Sequence, residues 1–193
     1  MYPRVRLDAL ADAIFGVAMT LLVLDVRLPD DFHPQDAQEL LRGLQGLTPK
    51  LLPYILSFLV LGLRWLSLAQ IRIQAESVGR DYALWLLVYL LLITCVPLTT
   101  IVVGRFVDLA PSIWLYAGNT ALIGIVSIGL LRHTPQLADD SQFRDRQVSL
   151  AVLIISSLLA VAWSFVDPRQ ALWAMALNVL PPLASRWWTG SKA

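Results

Sequence analysis

Six apolar stretches, each near the length of a bilayer crossing, constrain this chain more than any other feature. A hydrocarbon core about 30 Å thick is crossed by roughly 20 residues of helix. The stretches fall near residues 6–28, 50–71, 81–103, 111–131, 148–166 and 169–187. Turn and charge signals separate them: Pro29-Asp30-Asp31, Gly79-Arg80-Asp81, Gly104-Arg105, the polar run from Arg132 to Gln147, and Asp167-Pro168-Arg169. The last break is so short that the fifth and sixth stretches must form an antiparallel hairpin. The expected fold is all-α, a polytopic membrane protein with one six-helix transmembrane domain over residues 1–193.

Composition identifies the solvent as lipid. Charged residues make up 15% of the chain, against about 25% in a soluble domain. Hydrophobic residues make up 57% and the mean hydropathy is +0.65. A soluble domain of this size buries only part of so much apolar surface, and the remainder would aggregate. The net charge of +1 offers no concentrated basic face, so no nucleic-acid partner is expected. The lone Cys95 excludes an intrachain disulfide and reads as a small buried hydrophobe. The first stretch is too long for a signal-peptide core and carries Asp8 and Asp12, so it is expected to be retained as a working helix.

Lys and Arg in the short loops set the orientation. With a cytoplasmic N-terminus, that side holds nine: Arg4, Arg6, Arg72, Arg80, Arg132, Arg144, Arg146, Arg186 and Lys192. The other side holds five: Arg27, Arg42, Lys50, Arg105 and Arg169. Both termini are therefore expected inside, in a multi-pass protein of the cell membrane. The first outer loop carries Asp30, Asp31, Asp36 and Glu39, and its segment Gln38 to Leu44 has the pattern of a short interfacial helix. No internal repeat is visible, which disfavours the pseudo-symmetric architecture of many transporters.

The first helix differs from the others. Its cytoplasmic half is rich in small residues, Ala9, Ala11, Ala13, Gly16 and Ala18, which let membrane helices approach closely. It also holds two carboxylates. An ionised Asp within the membrane costs at least about 2.5 kcal/mol unless paired or hydrated. Asp8, near the helix start, reads equally well as an idle interfacial residue. Asp12 lies a turn deeper and is expected to join a hydrogen-bond or ion-pair network with Arg6 or an arginine of another helix. Further along, Val17, Thr20, Leu21, Leu24 and Leu28 share one face. Taken alone, such a stripe is the pattern of ordinary helix packing.

The stretch from Arg6 to Pro29 resembles the first helix of the transmembrane protein 175 family, bacterial relatives of the lysosomal potassium channel. That family opens with an arginine, three residues and Phe-Ser-Asp, and runs through an Ala-rich segment into Thr-Leu-Leu-Val-Leu-Glu. Arg6, Leu10-Ala11-Asp12 and Thr20-Leu21-Leu22-Val23-Leu24-Asp25 occupy those places, with Leu10 and Ala11 replacing the Phe and Ser. Fainter likeness continues through Leu56-Ser57-Phe58-Leu59-Val60, Trp65, Pro97, Leu115-Tyr116 and Asn119. The family's downstream paired histidines are absent, with Leu68 and Ala69 in about that place.

The resemblance implies a homotetramer whose first helices enclose a potassium-permeable pore in the lipid bilayer. By position it implies an apolar constriction of Val17, Leu21 and Leu24, a polar layer at Thr20, and a bracing network at Arg6 and Asp12. Asp25, with Asp30 and Asp31, would raise cation concentration at the outer mouth. No Thr-Val-Gly-Tyr-Gly filter is present, so selectivity would rest on ring width, dewetting and hydroxyls, and would be weak.

Motifs of catalysis are missing: no phosphate-binding Gly-rich loop, no His-Glu-x-x-His and no Gly-x-Ser-x-Gly elbow. An enzyme is not expected, nor a cofactor or a metal, since His33 and His133 lie on opposite sides of the membrane. Arg64, inside the second helix, has three open readings: snorkelling, pairing with an acidic residue of the first helix, or facing the assembly interior. Trp187-Trp188 beside Arg186 reads as an interfacial anchor. Two other functions fit the same pattern, a small proton-coupled transporter using Asp12 or an accessory membrane subunit without flux of its own.

Overall fold

A computed structural model describes residues 1–69, 76–133 and 141–176. The apolar stretches become long helices because lipid cannot satisfy backbone N–H and C=O groups, so each spanning segment must bond to itself. Strand β1 (Tyr2–Pro3) leads into α1 (Arg4–Leu21), which tightens into a 3-10 turn over Leu22–Asp25. The short α2 (Ala37–Gln45) precedes α3 (Thr48–Ala69). Strand β2 (Ser77–Val78) is followed by α4 (Arg80–Arg105), α5 (Ala110–Arg132), α6 (Ser141–Trp163) and α7 (Pro168–Ala176). Among the described residues five helices are long and apolar enough to cross a membrane: Arg4–Asp25, α3, α4, α5 and the Arg146–Trp163 part of α6. The second half of the expected sixth crossing, to residue 187, and the Trp187-Trp188 pair lie outside the described residues.

The first crossing ends earlier than the expected residue 28. Its last helical turn is the 3-10 segment, after which Arg27 N–H bonds back to the Asp25 carbonyl and Pro29 blocks continuation. In the loop between α1 and α3, α2 is closed by a reciprocal cap. The Asp36 carboxylate accepts from Glu39 N–H at 2.6 Å, and the Glu39 carboxylate accepts from Gln35 N–H at 2.8 Å. Leu40, Leu41 and Leu44 stay exposed on one side of α2, as its interfacial pattern anticipates.

α4 forms the centre of the main core. Tyr82, Leu86, Tyr89, Leu90, Ile93 and Val96 are buried against Ala11, Phe15, Ala18 and Leu22 of α1 and its 3-10 turn, Val60 and Leu61 of α3, and Ile123 and Val126 of α5. The inward residues of the first helix repeat at helical spacing, which fixes how α1 is rotated against α4. Gly129 lets α5 close on α4, since a methyl there would sit 2.7 Å from the Trp85 ring. A buried hydroxyl chain ties three helices: Thr100 donates to Ser57 Oγ at 2.7 Å, and Ser57 Oγ lies 3.0 Å from the Tyr116 hydroxyl. Such bonds join helices where water offers no competing partner.

Arg64 lies in this interior. Its guanidinium is buried, and Nη2 donates to Ser149 Oγ of α6 at 2.8 Å. Of its three readings, neither snorkelling nor a bond to an acidic residue of α1 is what the side chain does within the described residues.

Candidate functional site

The residues of the first helix separate by face. Leu7, Ala11, Ile14, Phe15, Ala18 and Leu22 pack inward. Ala9, Ala13, Gly16, Val17, Thr20, Leu21 and Leu24 are exposed on the other side, so the subunit itself leaves that face uncovered. Val17 is 57% exposed, Leu21 42% and Leu24 62%, whereas Leu22 is 1% exposed. All four candidate pore residues thus share the outward face, and Leu22, opposite Leu24, does not. The Thr20 hydroxyl donates to its own helix, lying 2.8 Å from the Val17 carbonyl and 3.0 Å from the Gly16 carbonyl. With its hydrogen directed at the backbone, the oxygen presents lone pairs outward, the polarity that suits a cation.

The N-terminal end of α1 is held in several ways. β1 pairs antiparallel with β2, Tyr2 opposite Val78 and Pro3 opposite Ser77, and Arg4 N–H donates to the Glu76 carbonyl at 3.1 Å. Arg4 and Asp8 form an ion pair at 3.2 Å. Asp12 accepts a hydrogen bond from the Trp65 indole N–H of α3 at 2.8 Å. A cavity of about 230 Å³ opens between α1 and α3 here, lined by Arg4, Asp8, Asp12, Trp65 and neighbouring apolar residues.

The expected bracing network is therefore assembled differently. Arg6 is exposed, and among the described residues no ion pair joins it to Asp12. Six residues along a helix place two side chains roughly 240° apart, so the two cannot meet on one face. Arg4, four residues before Asp8, makes the ion pair instead, a spacing that the sequence displays. Trp65 was visible only as part of the weaker likeness in the second helix, with nothing to assign it to Asp12.

At the other end of the first crossing, Asp25 departs from its expected role. It is not a free carboxylate at the mouth: it is 7% exposed. Arg105, in the last turn of α4, donates to Asp25 Oδ1 from Nε at 3.0 Å and from Nη2 at 2.8 Å. The Lys50 ammonium adds contacts of 3.4 Å to the carbonyls of Asp25 and Arg27. Burial demands a counter-charge, and Arg105 supplies it, so Asp25 carries little uncompensated charge. Asp30 pairs with Arg27 at 3.3 Å on the exposed loop. Sequence reasoning counted Arg105 only as a loop charge, because nothing local links positions 80 residues apart.

No group of three or more His, Cys, Asp or Glu able to hold a metal occurs among the described residues. The site is built from small, apolar and hydroxyl side chains on a helix, with no nucleophile or acid–base pair on the outward face.

Comparison with known proteins converges on one family. The pattern described as "Endosomal/lysosomal potassium channel TMEM175" matches residues 6–97. A potassium channel of Streptomyces collinus is 30% identical over 101 residues, covering 52% of this chain and 48% of the relative. A potassium channel of Chamaesiphon minutus is 28% identical over 133 residues, covering 66% and 64%. This chain thus spans about half to two thirds of the length of these two relatives. The endosomal/lysosomal proton channel TMEM175 of Danio rerio is 26% identical across 97% of this chain and 38% of its own length. The crystal structure of a lysosomal potassium-selective channel TMEM175 homolog from Chamaesiphon minutus superposes with a TM-score of 0.75. It is 23% identical, with 93% of this chain and 96% of that one covered. That likeness establishes the fold.

Proposed function

From a chain that belongs to the TMEM175 family, we propose a potassium-permeable channel: a homotetramer in the cell membrane with its pore lined by α1. The observation that carries this reading is the uncovered face of α1, where Ala9, Ala13, Gly16 and Thr20 stand among Val17, Leu21 and Leu24. A helix facing lipid gains nothing from small and hydroxyl residues, whereas a helix meeting its own copies around an axis does.

In this reading Val17, Leu21 and Leu24 form the narrow apolar section, repeated once per subunit. Such a ring conducts only when wide enough to hold water, and it penalises ions by their cost of dehydration. Potassium gives up water more cheaply than sodium, so it passes preferentially but not exclusively. Thr20 supplies the polar layer, its oxygen already turned toward a cation. Asp12, held by Trp65, and Arg4 with Asp8 brace the cytoplasmic half of the helix. Arg6, on the outside of the subunit, is left to face a neighbouring copy or headgroups.

Both termini are placed in the cytoplasm, as the Lys and Arg distribution favours. Reporter fusions at residue 193 and in the polar 132–147 stretch should both report cytoplasm, and an external signal from either would reverse the topology. Purified protein in vesicles should release potassium down its gradient once a second ion path balances charge. Native mass spectrometry of the same sample should give four subunits. Tight vesicles with protein present, or a stable monomer, would defeat the channel reading.

A further inference from the structure

The C-terminal end of α1 is fastened by the burial of Leu22, the Asp25–Arg105 bond and the Lys50 contacts to the carbonyls of Asp25 and Arg27, and this fastening adjoins the residue assigned to the constriction. Leu24 and Asp25 are neighbours within the 3-10 turn Leu22–Asp25. One side chain is 62% exposed toward the outside of the subunit, and the other is buried and held by Arg105. A 3-10 turn advances roughly 120° per residue instead of 100°, and its hydrogen bonds are poorer than those of an α-helix. The direction of Leu24 therefore depends on what holds the turn. Leu22 anchors one side of it by burial, and the two-pronged Asp25–Arg105 bond anchors the other. Arg105 is a firm post. It closes α4, whose body is the core of the subunit, and Val103 beside it is fully buried. The carboxylate lies close against the end of α4, since a methyl at Gly104 would be in ordinary contact with Asp25 Oδ2 at 3.6 Å.

We infer that Asp25 and Arg105 are positioning residues for permeation: their bond fixes the rotation of the 3-10 turn and so the width of the ring that Leu24 makes. The inference rests on the proposed pore lining by α1. It assigns to the pair a geometric effect on selectivity, in place of an electrostatic effect on cation supply.

The two effects differ in sign, which makes them separable. If the charges acted only through their field, Asp25→Asn would lower potassium conductance and Arg105→Gln would raise it. If the pair positions Leu24, both substitutions release the same turn. Each should then lower the potassium-to-sodium permeability ratio in the same direction, by about twofold or more, and the double variant should fall no further than the lower single one. Asp25→Glu keeps a carboxylate for Arg105 and should retain most of the selectivity.

The experiment is bilayer recording of the purified full chain under a potassium–sodium gradient, with wild type, the three single variants, the double variant and Leu24→Ser. A second readout does not depend on current. In a Cys95→Ala background, a cysteine at 24 should cross-link between subunits efficiently in the wild-type frame and less efficiently with Asp25→Asn. It also decides the matter if the single variants give too few channels to record. Opposite shifts for Asp25→Asn and Arg105→Gln, or unchanged permeability and cross-linking in both, overturn the inference. Failure of Leu24→Ser to alter permeation, with no cross-link at 24 in the wild-type frame, instead overturns the pore reading beneath it.

Discussion

α1 and α4 lie against each other and both are apolar enough to cross a membrane, yet their surroundings differ. Half of the apolar window of α4 is buried inside the subunit, against 22% of that of α1. What remains exposed differs too. On α4 it is chiefly large and apolar, Leu84, Leu87, Val88, Leu91 and Leu98, with Thr94 bonded back to the Leu91 carbonyl. On α1 it includes Ala9, Ala13, Gly16 and Thr20. Large aliphatic side chains suit acyl chains, and small ones suit another helix. α4 is thus a finished helix, with protein on one side and a lipid-like face on the other. α1 is left uncovered within one subunit, and in the proposed channel its partners are the other copies and the ion path.

The largest expected effect contrasts the two helices directly. Ile93→Ala, in the fully buried centre of α4, should cost about 2–5 kcal/mol through lost packing. Val17→Ala, on the outward face of α1, should stay within about 0.5 kcal/mol for the subunit. Thermal unfolding in detergent compares them. Equal losses would mean that the outward face of α1 is packed as tightly as the core, and the comparison would fail.

How much of this was legible beforehand follows from the range of the interactions involved. Helix positions are set by local hydropathy, and α3, α4 and α5 start and stop within two residues of the apolar stretches, whereas α6 starts at Ser141, inside the polar run expected as a break. The outward grouping of Val17, Thr20, Leu21 and Leu24 is a matter of helical period and could be read from spacing. The partners could not. Trp65 on Asp12 and Arg105 on Asp25 are separated by 53 and 80 residues, and only packing brings them together. Asp25 and Asp30 look alike as acidic residues near an outer loop. One is buried because the 3-10 turn carries it under α4, and the other stays in solvent beside Arg27. Within one subunit no Arg6–Asp12 ion pair forms among the described residues, since six residues do not share a helix face.

The next effect sharpens the account of how α1 is held. Asp12→Ala removes the acceptor for Trp65 and should weaken assembly by about 1 kcal/mol, whereas Asp31→Ala in the outer loop should have no measurable effect. Size-exclusion profiles after graded detergent challenge would show it. If both variants behave as wild type, the cytoplasmic brace does not contribute to assembly. Trp65→Phe keeps the ring and removes the donor, so it should reproduce most of the Asp12→Ala loss.

A smaller effect concerns the only hydroxyl among the proposed lining residues. Thr20→Val keeps the shape of the side chain and removes the hydroxyl, which donates to the Val17 carbonyl of its own helix. Expression and assembly should be unchanged. The potassium-to-sodium permeability ratio should shift by no more than about threefold, the equivalent of about 0.6 kcal/mol. A shift in expression without a shift in reversal potential would make Thr20 a packing residue and not a lining one.

The central claim is that the uncovered face of α1 lines the ion path, and paired substitution at Leu24 and Leu22 tests it most directly. Leu24 is outward and Leu22 is buried, so the two report on opposite sides of one helix. Single-channel recording from purified protein in planar bilayers, under a potassium–sodium gradient, yields both unitary conductance and reversal potential. The account predicts that Leu24→Ser raises conductance and lowers discrimination, whereas Leu22→Ser reduces the number of assembled channels but leaves both quantities at their wild-type values. Unchanged permeation in Leu24→Ser together with altered permeation in Leu22→Ser would contradict it.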